Sequence, residues 1–199
     1  MAIKNVFLDR DGTIIQDMHY LSNPEQIVFI PGAIAAMREM KESGLDIFLV
    51  TNQSGIGRRY FTLDDHRLVQ DRLCQMLTDK GIRISDSLFC PHKPDDKCGC
   101  RKPETGMWDM ISARHGLRAE ESVIIGDKLS DIAFGRNCGF KASVLTLTGH
   151  GLKSMEMLGL TERPLEWSEP EPRPDRPTAL ALDIHSAWTW VRQRLINDI

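Results

Sequence analysis

Ile3-Lys4-Asn5-Val6-Phe7-Leu8-Asp9-Arg10-Asp11-Gly12-Thr13 runs from an apolar stretch straight into two carboxylates and a glycine. Ile3–Leu8 has the length and composition of a short buried strand. Residues i and i+2 of an extended chain point the same way, so Asp9 and Asp11 face one reaction centre while Arg10 points elsewhere. Two carboxylates that close repel unless a positive charge lies between them. The spacing therefore asks for a hard cation, and it supplies a nucleophile and a proton donor. The competing reading is an ordinary surface turn, because Asp and Gly are common turn residues.

Outward from this stretch, strand-like runs alternate with helix-like ones. Asp46–Val50, Ser87–Cys90, Ser122–Ile125 and Ala142–Leu145 are short and apolar. Helices are expected near Gly32–Lys41, Leu63–Lys80, Glu104–His115 and Asp131–Cys138, the second with Val69, Leu73, Met76 and Leu77 on one face. Thr62-Leu63-Asp64-Asp65 has the form of a capping box, and Gly81, Gly116 and Gly139 stand where helices should end. Alternating β and α segments predict an α/β fold, Rossmann-like, with a mainly parallel sheet and helices on both faces. A single domain is expected over residues 1–199. Thr161–Pro177 interrupts the alternation, with five of the ten prolines and four glutamates. It reads as an extended surface connector, with a docking segment as the alternative. A final strand and helix follow over 179–197, with Asp183 as the cap and Ile184, Trp188, Val191 and Leu195 on the inner face.

The chain has 199 residues, enough for one domain with a real core, and a formal net charge of −3. That balance gives no electrostatic basis for nucleic-acid binding. No apolar run approaches the roughly 20 residues that span a bilayer, and Asp9 and Asp11 interrupt any signal-like stretch at once. A cytoplasmic monomer is expected, in which the five cysteines are metal ligands or free thiols rather than disulfides. Cys74 and Cys138 fall on helix candidates and read as small core residues.

Ligands of open α/β sheets bind beyond the carboxyl ends of the strands. Asp9 and Asp11 follow the first strand. Thr51, Asn52, Gln53 and Ser54 follow the second, leading into Gly55-Ile56-Gly57. A Cys/His loop with Arg101 and Lys102 follows the third, and Gly126-Asp127-Lys128 and Asp131 follow the fourth. Acids, a hydroxyl, amides and cations at four strand ends suit an anion and a divalent metal sharing one site. Each has a bland alternative: a turn hydroxyl for Thr51, a solvated charge for Lys102, a helix cap for Asp127.

With these motifs in this order, the chain resembles the haloacid dehalogenase superfamily of phosphotransferases. Asp9-x-Asp11-Gly12-Thr13, Thr51, Lys102 and Gly126-Asp127-x-x-x-Asp131 match its four motifs over about residues 1–160. Thr51 to Gly57, Tyr60-Phe61-Thr62, Cys90-Pro91-His92 and Cys98-Gly99-Cys100-Arg101-Lys102-Pro103 look like the D,D-heptose 1,7-bisphosphate phosphatase branch. Histidinol-phosphate phosphatases share the Cys/His loop. The resemblance implies Asp9 as nucleophile, Asp11 as proton donor and acceptor, and Thr51 and Lys102 as holders of the phosphoryl oxygens. It implies Mg2+ on Asp9, the backbone carbonyl of Asp11, and Asp127. Asp131 would orient Lys128 or a metal-bound water. Asp17-Met18-His19-Tyr20 aligns with the branch's substrate segment, and Asn52, Gln53, Ser54, Arg101 and Lys128 align with further substrate contacts. Arg58-Arg59 departs from the branch's usual Arg-Gly.

Cys90, His92, Cys98 and Cys100 place three thiols and one imidazole within eleven residues, the Cys3His set of a closed structural zinc site. A DNA-binding finger is disfavoured, since the loop holds no recognition helix, and redox-active cysteines are the other alternative. The metal would fix Arg101 and Lys102, with Arg101 the candidate for a second phosphate. Only about 20 residues separate Thr13 from the next helix, and about 10 separate Thr51 from Thr62, too few for a folded cap domain. The functional alternatives are histidinol-phosphate hydrolysis, another small sugar-phosphate phosphatase, a nucleic-acid 3′-phosphatase, and a silent sugar-phosphate binding module.

Overall fold

A computed structural model describes residues 2–196. Seven strands form one sheet in the order β3-β2-β1-β4-β5-β7-β6. These are β1 (Asn5–Leu8), β2 (Asp46–Asn52), β3 (Asp86–Cys90), β4 (Ser122–Gly126), β5 (Ala142–Thr146), β6 (Trp167–Ser168) and β7 (Ala179–Ala181). All neighbours are parallel except β6, which runs antiparallel to β7. The helices are α1 (Ala33–Glu42), the single turn α2 (Ser54–Gly57), α3 (Leu63–Thr78), α4 (Gly106–His115), α5 (Leu129–Cys138), α6 (Gly151–Met157) and α7 (Ile184–Val191). Among the described residues, no helix is long and apolar enough to cross a membrane.

Strand alternation divides the core. Val6 and Leu8 of β1 join Met37 and Met40 of α1, Leu73 of α3 and Trp188 of α7 on one face. Phe7, between them, turns to the other face and packs with Phe48, Met107, Ile111 and Phe134, under α4 and α5. Both faces are covered, which is why the strands read as continuous apolar runs. The expected capping box closes α3: Asp65 N–H donates to Thr62 Oγ1 (3.1 Å) and Thr62 N–H to Asp65 Oδ2 (2.7 Å). Asp183 Oδ1 accepts from Ser186 N–H at 2.8 Å and so opens α7.

The stretch read as a surface connector departs from expectation. Trp167 pairs with Ala181 and Ser168 with Leu180, adding an edge strand that closes the sheet beside β7. Glu169 accepts from Trp190 Nε1 at 2.8 Å, which ties the stretch to α7. The helix predicted to residue 197 is α-helical to Val191 and continues as a π-helical turn over Arg192–Ile196; residue 197 lies outside the described residues. Helices α2 and α6 have no counterpart among the expected elements.

Between β1 and α1 lie only a 3-10 turn at Pro24–Gln26 and isolated bridges joining Asp11, Ile15 and Phe29. Between β2 and α3 there is only α2. The carboxyl ends of the central strands thus stay uncovered by any inserted domain, as the short gaps imply.

His66, on the inner side of α3, packs against Phe89 with ring centroids 4.0 Å apart and the rings tilted by 49°, and is 2% exposed. Burial first, then the charges of Arg10 and Arg67, push its pKa from 6.5 down to about 4. Between those values the unfolded chain binds a proton that the native state does not. Stability attributable to His66 should therefore fall as pH drops from about 6.5 to about 4, by roughly 3 kcal/mol at most. Urea midpoints measured across this range should fall less steeply for His66→Phe than for the wild type; parallel slopes would refute the assignment.

Candidate active site

The chain leaves β1 for β2 and β3 on one side and returns to β4 on the other, so the sheet order reverses beside β1. Asp9 and Asp127 stand at the two adjoining carboxyl ends. Asp9 is 3% exposed and Asp127 fully buried. Asp9 N–H still donates to Ile125 C=O at 3.0 Å, so the first carboxylate is placed by the sheet itself. Gly12 then turns the chain with φ 91°; a Cβ there would lie 2.2 Å from Asp127 Oδ2. Gly149 makes an equally close approach from the loop after β5. The Asp127 carboxylate is thus held between two glycines and accepts the His150 N–H at 2.7 Å.

Two ammonium groups offset this buried negative charge. Lys102 Nζ lies 2.9 Å from Asp9 Oδ1 and 2.7 Å from Asp131 Oδ1, and donates to Val50 C=O at 2.6 Å. Lys128 Nζ lies 3.0 Å from Asp127 Oδ1, 3.1 Å from the Asp11 carbonyl and 3.5 Å from Asp9 Oδ2. Burial alone would raise the Asp9 pKa, but Lys102 and Lys128 together hold it far below the usual carboxylate range. Burial acts against charge on Lys102 too, yet Asp131 and Asp9 raise its pKa and keep it protonated. Asp127 is pushed up to about 8 by burial, aided by Asp9 and Asp131 and opposed by Lys128. The site therefore holds Asp9 ionised.

Asp9 Oδ2, Asp127 Oδ1 and the Asp11 carbonyl converge on one cation, the Lys128 ammonium. An all-oxygen donor set around a cation is what Mg2+ prefers, so these residues fit the metal. Asp131 also has its carboxylate near Asp9 and Asp127. Each of its two oxygens has its own partner. Oδ2 accepts the Lys128 backbone N–H at 3.0 Å, capping α5, while Oδ1 pairs with Lys102 rather than with the Lys128 side chain.

Arg10 overturns the simple alternation reading. It does not point elsewhere: its side chain, 1% exposed, folds back and grips the Asp11 carboxylate with Nε and Nη2, both at 3.0 Å. Gln53 Nε2 donates to Asp11 Oδ2 at 2.7 Å and to Thr51 Oγ1 at 2.9 Å. Asp11 is thereby held at the mouth, joined through Gln53 to the hydroxyl expected to hold phosphate.

A cavity of about 300 Å³ opens over these groups. Its wall includes Asp9, Asp11, Thr51, Lys102, Lys128 and Asp131, together with Asn52, Gln53, Ser54 and Arg101. From the aligned substrate segment it takes Asp17, His19 and Tyr20; Met18 is exposed and turned off the wall. Asp127 lies behind the wall rather than in it. Asn52 is committed to the backbone, accepting from Lys102 N–H at 3.0 Å and donating to Lys102 C=O at 3.1 Å.

The Cys/His loop lies beside this wall. Cys90 Sγ is 3.5 Å from Cys98 Sγ and 3.6 Å from His92 Nδ1; Cys100 Sγ is 3.6 Å from Cys98 Sγ and 3.4 Å from His92 Nδ1. All five cysteines are free thiols. Tetrahedral zinc with bonds of about 2.3 Å to sulfur requires donor edges of about 3.8 Å, so the four donors fit. Burial works against ionisation of Cys98, yet bonds from Cys90, Cys100 and the Arg101 backbone bring its pKa down to about 7. The loop is pinned to the β2 end, where Gln53 N–H donates to Cys90 C=O at 2.7 Å and Gly57 N–H to Pro91 C=O at 2.9 Å. Arg101 Nη1 donates back to His92 C=O at 3.2 Å.

Residues 99–167 match the HAD-hydrolase-like family model. A D-glycero-alpha-D-manno-heptose-1,7-bisphosphate 7-phosphatase from Photorhabdus laumondii is 35% identical over 155 residues, 74% of this chain and 85% of that protein. The chain belongs to the heptose-bisphosphate 7-phosphatase family. A member from Helicobacter pylori, named for the beta anomer, is 38% identical over 152 residues, 76% of this chain and 87% of its own. The crystal structure of the D,D-heptose 1,7-bisphosphate phosphatase from B. bronchiseptica, complexed with magnesium and phosphate, superposes with a TM-score of 0.81. It is 29% identical, and the match covers 96% of this chain and 99% of that one.

Within this family setting, two features stand out. Arg59 takes the left-handed conformation, φ 61°, that a glycine would occupy without strain. His150 was missed from sequence. Its Nε2 lies 3.1 Å from Asp17 Oδ2 and it lines the cavity. The strand-end rule that located the other residues, carried on to β5, reaches Thr148-Gly149-His150.

The loop geometry predicts one zinc per chain by elemental analysis. Cys98→Ser should lose that zinc and lower Tm by roughly 5–10 °C, equivalent to about 2–3 kcal/mol for a chain of this size. Zinc-free protein with an unchanged Tm would refute the structural role.

Proposed function

We infer that this chain is a Mg2+-dependent phosphatase that removes the C7 phosphate of D-glycero-D-manno-heptose 1,7-bisphosphate and leaves the heptose 1-phosphate. The observation that carries this reading is Asp9: a buried carboxylate kept ionised by Lys102, at the floor of an uncapped cavity, with Asp11 at the mouth. The names and coverage of the heptose-bisphosphate relatives support the substrate.

In this reading Asp9 attacks phosphorus. A bond forms between its oxygen and phosphorus as the bond to the C7 oxygen breaks, and the departing oxygen takes a proton from Asp11. Water then gives a proton to Asp11 as its oxygen attacks the aspartyl-phosphate, which frees Asp9 and releases inorganic phosphate. Thr51 and Lys102 hold the non-bridging oxygens, because phosphoryl transfer depends chiefly on positioning and charge. Asp9, Asp127 and the Asp11 carbonyl would hold Mg2+, which, when bound, screens the nucleophile from the incoming phosphate and stabilises charge on the transferring group. Arg10 and Gln53 keep the Asp11 carboxylate between the departing oxygen and solvent.

The substrate's sugar and second phosphate meet the wall made by Asp17, His19, Tyr20, Ser54, Arg101 and Lys128. Arg101 is the cation best placed for the second phosphate, fixed by the zinc loop through His92. The free thiols accord with a reducing, cytoplasmic setting.

Asp9→Asn should lower kcat by about 10⁴-fold or more with an unchanged circular dichroism spectrum, the scale on which loss of a covalent nucleophile acts. Asp11→Asn should also cripple turnover. Both heptose 1,7-bisphosphate anomers, histidinol phosphate and a chromogenic phosphate should be assayed with and without Mg2+. Heptose bisphosphate should give the highest kcat/KM and require the metal. A higher value for histidinol phosphate, or turnover by Asp9→Asn, would overturn the assignment.

A further inference from the structure

The two active-site lysines are held in different ways. Lys102 is 1% exposed at its side chain and enclosed by Asp9, Asp131 and the Val50 carbonyl. It has no second place to go. Lys128 is 34% exposed at its side chain, and its ammonium sits among Asp127 Oδ1, the Asp11 carbonyl and Asp9 Oδ2. Those three oxygens are the ones assigned to Mg2+ above. Asp17 Oδ2, on the cavity wall, is already 3.8 Å from the same ammonium.

We propose that Lys128 and Mg2+ compete for one seat: the ammonium is displaced from the Asp9–Asp11–Asp127 oxygens when the metal binds, and moves out beside Asp17 into the substrate cavity. This rests on the Mg2+ reading of the site and deepens it. Two cations cannot share oxygens about 3 Å away without strong repulsion. Lysine is suited to the exchange, because its charge is a compact point on a flexible four-carbon stem. The balance of charge favours the exchange as well. Asp127 lies against Asp9 and Asp131 with Lys102 bonded only to the latter two, so a second cation is needed beside it to hold its charge, and either Lys128 or the metal can be that cation. Once the metal is that cation, the ammonium is free to meet an anionic substrate. Metal binding thereby adds a cation to the cavity, so metal and substrate binding are coupled through one side chain.

The test uses the full-length, zinc-loaded protein, freed of Mg2+ by exhaustive dialysis and titrated with Mg2+ without substrate. By calorimetry, Lys128→Met should bind Mg2+ about tenfold more tightly than the wild type, the scale for removing a like charge beside a partly exposed site. Its Tm should be lower before Mg2+ is added and rise further on addition. Removing a positive charge could itself raise affinity, so the wild type is also probed directly. Reductive methylation read by mass spectrometry should label Lys128 several-fold more in Mg2+ than without it, while exposed Lys4 stays constant. Labelling of Lys128 that Mg2+ leaves unchanged or reduces would overturn the exchange, as would equal or weaker Mg2+ binding by Lys128→Met. Wild-type protein that takes up no Mg2+ at all would instead bring down the metal reading itself.

Discussion

The ion pair between Lys102 and Asp9, shared with Asp131, is the constraint around which the site is built. Burying three carboxylates at the ends of β1 and β4 is costly unless cations accompany them. Lys102 reaches them from the loop after β3, across the sheet, and is held there at three points. Asn52 brackets its backbone with two hydrogen bonds, so the β2 end sets its height. Four parallel strands thus contribute to one charge cluster. The charge state of Asp9 follows, because two ammonium groups keep its carboxylate ionised beneath the open cavity.

Much of this was legible in the chain. The strands showed as apolar runs because both faces of a parallel sheet are covered. The acids, hydroxyl and cations showed because strand ends converge in such sheets, a rule that needs only their order. The Cys3His set showed because a short loop with no core has few other uses for such residues. In each case the feature depends on local spacing or on one global rule.

What stayed hidden depends on how long side chains and edge segments settle in three dimensions. Alternation sends the backbone of Arg10 away from Asp11, but a guanidinium has the reach to return, and the carboxylate draws it back. Asp131 follows Lys128 by three residues, which suggests the two act together. The helix start uses that spacing for a cap, and the charge goes to Lys102 instead. The pairing of Trp167-Ser168 with β7 leaves no sequence mark, since two residues amid prolines and glutamates carry no period. His150 lies beyond β5, where the strand-end rule finds it only through Thr148-Gly149, a pair with no chemistry of its own to mark the place.

The zinc loop and the acid cluster meet at adjacent residues, Arg101 and Lys102, and this division of labour explains an uncapped design. Enzymes that close a lid can assemble their cations around the substrate after it binds. Here no inserted segment exists between β1 and α1 or between β2 and α3 to do so, and the wall must be rigid beforehand. A loop from Cys90 to Cys100 has no apolar core of its own to provide that rigidity; four metal-ligand donors and the bonds from Gln53 and Gly57 provide it instead. Arg101 is tied back to His92 and stands next to the buried Lys102. Lys128, on the helix side of the cavity, is more exposed than Lys102, with 34% of its side chain open to solvent against 1%. Preorganisation on one wall, with a more exposed ammonium facing it, gives an open site the fixed geometry that phosphoryl transfer requires.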